Sequence, residues 1–277
     1  MYRFHPSIQW NGGYPRREEI VKQIRDLWKR YGLEKRTNFN TKVERVYKNE
    51  KGKWVINDEK YSVFEGVIAA VGTCGAPKMP HIPGMDKFKG EIYHSSELDG
   101  KDAKGKKVAV IGGGASAIEA LEFVAKSKAE HTYILARSEK WIIPRNPVID
   151  AVLSMNVYGG ETIFSWIPEW FLRVFFYRDL KDLAPPSGSS GLFEGTPMVN
   201  NEVFDLIRNG DADWLRGDIK HFEEGGVRFT KRSVGVPKGG PGKDVLVDAD
   251  MVIMATGYER PSLSFLPDDC FEEGYEP

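Results

Sequence analysis

Apolar residues fall into helical spacing early in the chain, with Ile20, Ile24, Leu27, Trp28 and Tyr31 on one face. Pro15 opens this pattern and Gly32 closes it, which predicts a helix between them. Runs rich in β-formers then predict short strands over 42–47, 53–57 and 66–71. Gly72-Thr73-Cys74-Gly75 breaks the pattern, and Pro77, Pro80 and Pro83 mark a linker. After Lys104-Gly105-Lys106 the texture changes to a strand over 108–111, a glycine turn over 112–114, a helix over 115–126 and a second strand over 132–136. That order is a βαβ half-unit. Residues 144–182 read as helical and aromatic, 185–191 as a connection, and 199–208 as a helix ending at Gly210. A loop at 239–242 precedes a last strand over 248–256.

The aromatic stretch 163–177 is the most membrane-like part of the chain. Pro168, Glu169 and Arg173 interrupt it, and it falls short of the roughly 20 apolar residues of a spanning helix, so no transmembrane segment is expected. Trp and Phe at these spacings predict packing in a core; a substrate wall, a partner contact and a membrane-surface contact are the other readings. A net charge of -1 gives no general pull toward nucleic acid. The start, Met1-Tyr2-Arg3-Phe4-His5, has no apolar run of the secretory kind. Two cysteines, Cys74 and Cys270, are too few for a disulfide framework, which points to a reducing, cytoplasmic setting. Neither sits in a C-x-x-C, which argues against disulfide-reductase chemistry. The five histidines are scattered, so no metal site is expected, and no Ser/His/Asp constellation is evident.

The chemistry concentrates at Val108-Ala109-Val110-Ile111-Gly112-Gly113-Gly114-Ala115-Ser116-Ala117, which fits G-x-G-x-x-G/A. Gly112 permits the tight turn, Gly114 lets the backbone approach a pyrophosphate, and Ala117 keeps the helix close to the strand. Amides of the first helical turn, around Ser116, then meet the phosphates where the helix dipole favours negative charge. An innocent tight turn is the plain alternative, but the flanking strand and the helix face of Ile118, Leu121 and Val124 supply the context of a dinucleotide site. About twenty residues on, an NAD site carries Asp or Glu for the ribose 2′-hydroxyl. This chain has Arg137, with Lys140 nearby. A planar guanidinium suits a 2′-phosphate, so NADP(H) is expected over NAD(H); a solvated surface arginine is the alternative.

Phe88-Lys89-Gly90-Glu91-Ile92-Tyr93-His94, just ahead of that turn, resembles the F-x-G-x-x-x-H signature of flavin-containing and Baeyer–Villiger monooxygenases. Met254-Ala255-Thr256-Gly257-Tyr258 is similar to the family's A-T-G-Y stretch, and Gly72-Thr73 to its counterpart on an earlier strand. Tyr14-Pro15-Arg16, and Gly195-Thr196-Pro197 with Val199-Asn200, also match, so the resemblance runs in order along nearly the whole chain. The family closes its signature four residues after the histidine with Tyr or Phe in the heteroatom-oxidising branch and Trp in the Baeyer–Villiger branch. Leu98 stands there, so both branches stay open. The plain reading of His94 is a linker histidine holding an interdomain hinge.

The resemblance implies an α/β fold of the two-dinucleotide-binding-domain, Rossmann-like, glutathione-reductase-like flavoprotein kind. It also implies that NADPH reduces FAD, and that a flavin peroxide then passes one oxygen atom of molecular oxygen to the nitrogen or sulfur of a small organic substrate. Ketone oxygenation, or a catalytically dead NADP-binding fragment, are the alternatives. Carried over residue by residue, Gly112, Gly114, Ser116, Ala117 and Arg137 would contact NADP, and Val43, Thr73 and Gly257 would lie at FAD. No catalytic side chain is assigned, and no nucleic-acid partner is expected. The family's earlier strand–GxGxxG–helix for FAD has no counterpart before Tyr14, and the chain stops soon after the A-T-G-Y strand. The expectation is a partial FAD-binding domain over 1–100, a complete NADP-binding domain with a helical insertion over 101–262, and a truncated return over 263–277. The chain then reads as a fragment, a truncated gene model or a degenerate copy, with FAD held only if the missing unit is supplied.

Overall fold

The computed structural model describes residues 17–154, 156, 160–180, 183–186, 191–195 and 197–271. Tyr14, Pro15, Arg16, Thr196 and residues 181–182 and 187–190 of the expected connections lie outside the described residues. Two compact units are present, one formed within 1–70 and 262–277, the other within 71–261.

The smaller unit begins with α1 (Arg17–Arg30), which has Glu18 and Glu19 in its first turn and Lys29 and Arg30 in its last. Both sets complement the helix dipole. Gly32, with φ 60°, ends the helical run as expected. Strands β1 (Val46–Lys48), β2 (Trp54–Ile56) and β3 (Val63–Phe64) form an antiparallel sheet in that order. The first expected strand is shortened for a definite reason. The Asn57 side chain accepts from the amides of Glu44 and Arg45 and donates to the Lys42 carbonyl, occupying the backbone groups that a ladder would use. Val43 is therefore off the sheet and exposed. Residues 66–71 join no sheet among the described residues, contrary to expectation, and Ile68 is 92% exposed. An apolar run becomes a strand only when a neighbour takes up its amides and carbonyls.

The larger unit is built on a seven-stranded sheet. Its elements are β4 (Glu91–His94), β5 (Lys107–Ile111), α2 (Ala115–Ser127), β6 (His131–Ala136), β7 (Ile142–Ile143), α3 (Pro147–Ser154), α4 (Trp166–Phe175), β8 (Met198–Val199), α5 (Glu202–Arg208), β9 (Ala212–Glu223), β10 (Gly226–Lys231), β11 (Lys243–Asp248) and β12 (Met251–Met254). The sheet order is β11-β10-β9-β6-β5-β12-β4. The run β9-β6-β5-β12-β4 is parallel, and the β9–β10–β11 meander is antiparallel.

Alternating side chains divide the core into two layers. Val108, Val110, Ile134, Met251 and Ile253 pack with Ile118, Leu121 and Val124 of α2 and Phe204 of α5. Ala109, Ile111, Leu135, Val252 and Met254 pack with Phe222, Val227, Phe229 and Val247 of the meander, and with Phe88. Burial on both faces explains the unbroken apolar runs of β5 and β12. β9 joins the parallel run to the meander: Arg216 is still paired with Ala136 of β6, whereas Gly217 already faces Lys231 of β10. The last expected strand forms as the shorter β12, and β11, which the sequence does not mark, ends just ahead of it at Asp248.

The insertion after β6 contains two helices, as its texture predicts. Tyr177 anchors it: the buried hydroxyl accepts from the Ile142 amide at 2.8 Å and donates to the Ile142 carbonyl at 2.7 Å. Burial pushes that hydroxyl above the usual tyrosine range. The expected burial of the aromatic stretch is corrected by the structure. Phe164, Trp166, Trp170 and Phe175 are all more than half exposed, and α4 buries only Pro168 and Leu172. Its two charged residues are turned inward, Glu169 to the Leu192 amide and Arg173 to the Pro185 carbonyl, so its outer face is apolar. Trp166→Ser is accordingly expected to change stability by no more than about 0.5 kcal/mol in a thermal melt; a loss of several kcal/mol would show that Trp166 is packed. No helix among the described residues is long and apolar enough to cross a membrane.

Candidate functional site

The chain leaves β5 through α2 to reach β6 on one side, while β12 lies on the other side of β5. A crevice therefore opens beyond the carboxyl ends of β5 and β12, at the point where the sheet order reverses. Gly112 turns the chain there with φ 136°. A Cβ on Gly112 would overlap the Ala255 carbonyl oxygen, and one on Gly113 would lie 2.8 Å from the Ala136 Cβ. Gly114 differs: a Cβ there would meet only the Lys140 ammonium, at 4.0 Å. Two glycines thus let main chain pack closely, and the third leaves space.

That space is a cleft of about 640 Å³ lined by Gly112, Gly113, Gly114, Arg137, Ser138, Lys140, Lys78, Asp218, Ala255 and Thr256, with Ile111 and Leu135 among its apolar walls. Gly114 caps α2 without a side-chain hydrogen bond, and the first turn carries no acidic residue. The positive end of the helix dipole is left to whatever occupies the cleft. Among the described residues, three cations, Lys78, Arg137 and Lys140, line the cleft with one carboxylate, Asp218, which lies 3.0 Å from the guanidinium of Arg232. An anion is the ligand such a lining suits.

The structure brings Gly112, Gly114 and Arg137 together in this cleft, with Ser116 and the fully buried Ala117 in the first turn of α2. Val43 and Thr73 are not among its lining residues; Val43 lies in the smaller unit and Thr73 on an exposed bend of the larger. Lys78, Asp218 and Thr256 are cleft residues that sequence reasoning missed. Thr256 lies in the A-T-G-Y stretch and could have been found there, whereas Lys78 and Asp218 arrive from a linker and a bent strand without any local signal.

Beyond the cleft, residues 75–78 and 256–259 run antiparallel. Pro77 bridges Tyr258, the Gly75 and Glu259 amides donate to Glu259 and Ala76 carbonyls, and the Thr256 hydroxyl donates to the Lys78 carbonyl. The Gly257 carbonyl accepts from the Lys78 amide and from His94 Nε2, each at 2.9 Å. His94 is fully buried at the end of β4; its Nδ1 accepts from the Ser96 amide, and its ring meets Tyr258 edge-on. A carbonyl can only accept, so the ring is held as the Nε2–H tautomer. The signature histidine therefore fastens the A-T-G-Y turn to the sheet. His94→Ala is expected to lower stability by about 1.5 kcal/mol through the lost bonds and the void; an unchanged melt would show that the strap of residues 75–78 and 256–259 holds without it.

Sheet order, glycine turn and meander together define a Rossmann-like α/β fold with a dinucleotide-type turn. Residues 2–151 match the model of the pyridine nucleotide-disulphide oxidoreductase family, and the chain belongs to that family. It is 33% identical over 194 residues to the FAD-binding monooxygenase ktnD of Aspergillus niger, covering 64% of this chain and 31% of that relative. It is 28% identical over 262 residues to flavin-containing monooxygenase 5 of Rattus norvegicus, covering 87% of this chain and 46% of that one. The chain thus spans less than half the length of either relative. A solved structure of oxidized steroid monooxygenase bound to NADP shares the fold with a TM-score of 0.66 at 18% identity, over 96% of this chain and 62% of the other. Cys74 and Cys270 are both free and exposed.

Proposed function

We propose that the larger unit binds NADP(H) and serves an NADPH- and FAD-dependent monooxygenase that transfers one oxygen atom of molecular oxygen to the nitrogen or sulfur of a small organic substrate. The observation that carries this reading is the cleft at the switch point, floored by Gly112–Gly114 and flanked by Arg137 and Lys140. When bound, NADPH would supply a hydride for flavin reduction. The glycine main chain and the uncapped amides near Ser116 would hold the pyrophosphate, while Ala117 keeps α2 against the sheet. Arg137 and Lys140 would neutralise the 2′-phosphate, whose oxygens the planar fork of a guanidinium matches.

The flavin half of the reading rests on the relatives. FAD is named for the Aspergillus relative, and the smaller unit, with Val43, is assigned to that half. Thr73, on its exposed bend, and Gly257, in the turn after β12, would meet FAD. Val43 and Thr73 are both exposed, and the described residues beside each form no enclosed cradle that fits FAD. Residues 71–100, grouped with the FAD domain in the sequence reading, contribute β4 and the strap to the larger unit, which makes the proposed NADP(H) division 71–261. Ketone oxygenation is the second reading, favoured by relatives named Baeyer–Villiger monooxygenase from Streptomyces coelicolor and Pseudomonas aeruginosa. A cytoplasmic setting accords with the two free cysteines.

Calorimetric titration of the chain with NADPH and NADH tests the core of the reading. NADPH should bind more tightly, by about tenfold or more, because a charge-assisted hydrogen bond to the 2′-phosphate contributes roughly 1.5–3 kcal/mol. Absence of binding would overturn it. Oxygen uptake with FAD present, assayed on a sulfide, an amine and a cyclic ketone, separates the two oxygenation readings.

A further inference from the structure

We propose that Arg232, a buried arginine behind the cleft, is a positioning residue that sets the preference for NADPH by holding the main chain at Arg137. This rests on the NADP(H) reading of the cleft. Arg232 follows β10, and its side chain is 2% exposed. Its amide donates to the Arg216 carbonyl at 2.7 Å, continuing the pairing of the meander past the end of the strand. The guanidinium then spans three groups. One Nη donates to the Arg137 carbonyl at 2.6 Å, the other to the Val236 carbonyl at 2.7 Å, and Nε lies 3.0 Å from an Asp218 carboxylate oxygen.

The Arg137 carbonyl lies just past the end of β6, where the parallel ladder no longer fixes the chain. A bond to it from a rigid, buried guanidinium holds the Arg137–Ser138 peptide, and with it the direction in which Arg137, Ser138 and Lys140 leave the sheet. All three line the cleft, and the Arg137 side chain is itself exposed. The neighbouring Arg216, 5% exposed, contacts the same segment through Glu139. It donates to the Ala184 carbonyl at 2.6 Å and pairs with Glu139 at 3.7 Å, holding that carboxylate against buried positive charge. Two arginines joined through their main chains thus brace the segment that would read a 2′-phosphate.

NADH lacks that phosphate, so a brace acting through Arg137 affects one nucleotide and not the other. A merely structural role would weaken both alike. Arg232→Lys keeps the charge beside Asp218 but cannot reach both carbonyls; Arg232→Gln removes the charge and keeps an amide donor. Each variant of the full chain is checked by circular dichroism and titrated with NADPH and with NADH. The native chain, Arg137→Ala and the Arg137→Ala/Arg232→Lys double variant are titrated alongside.

Either single change at Arg232 should weaken NADPH by about three- to tenfold, the effect of one hydrogen bond, and leave NADH within about twofold. In the Arg137→Ala background, Arg232→Lys should cause a clearly smaller loss than in the native chain, since only the part acting through Ser138 and Lys140 remains. Equal loss for both nucleotides, an additive loss in the double variant, or failure of both Arg232 variants to fold would overturn the proposal. A native chain that prefers NADPH, with Arg232 variants that bind like it, would overturn the brace and leave the cleft reading standing. A native chain without that preference would overturn the cleft reading and the brace with it.

Discussion

Gly114→Val is expected to lower NADPH affinity by more than about a hundredfold while the chain stays folded. The residue has φ -106° and ψ -168°, extended backbone that a β-branched residue adopts readily. A Cβ there meets nothing nearer than the Lys140 ammonium at 4.0 Å, so the apo fold has room for it. Losing the preferred cap glycine of α2 should cost about 1 kcal/mol of stability at most. The branched side chain would instead fill the space through which a pyrophosphate must approach the amides of the first turn. Gly112→Val makes the informative contrast, because a Cβ there overlaps the Ala255 carbonyl and φ is 136°. That variant should lose its native circular dichroism, whereas Gly114→Val should keep it and lose the calorimetric signal. A folded Gly114→Val that binds NADPH with native affinity would show that the pyrophosphate does not lie on this turn.

The βαβ half-unit was legible because every local signal there agrees. An apolar strand, three glycines, an apolar helix face and a second strand each obey their own rule, and burial on both faces keeps the strands apolar throughout. The meander was not legible. The two halves of β9 take different partners, so its residues never settle into one alternation, and Arg216 and Gly217 are buried in its middle. Residues 42–45 misled for another reason: the strand expected through Val43 was lost to a single asparagine, whose side-chain amide collected the backbone groups of that segment.

The site divides in the same way. Gly112, Gly114 and Arg137 could be found from spacing, because the turn and the strand end that carry them are local features. Lys78 is brought to the cleft by its bonds to the 256–257 turn and Asp218 by the sheet order, while Arg232 lies behind the cleft just past β10, where long-range pairing alone puts it against Arg137. The aromatic helix shows the converse failure. Trp and Phe at helical spacing are equally compatible with a core and with an outer face, and only the inward bonds of Glu169 and Arg173 decide the orientation.

Arg137→Ala is expected to weaken NADPH by about ten- to a hundredfold and to leave NADH nearly unchanged. A charge-assisted hydrogen bond to a phosphate contributes roughly 1.5–3 kcal/mol, which corresponds to that range. The side chain stands exposed at the end of β6, so its removal should not disturb the core beneath, where Leu135 and Ala136 stay buried. Lys140 also lines the cleft and would retain part of the attraction, which is why the loss should stop short of abolition. Raising the salt concentration should narrow the gap between the native chain and the variant, since partly exposed charge is screened over a Debye length of about 8–10 Å near physiological ionic strength. Titration of both nucleotides at low and high salt reads all of these effects together. If NADPH and NADH weaken equally, Arg137 supports the nucleotide site as a whole and does not read the phosphate that distinguishes them.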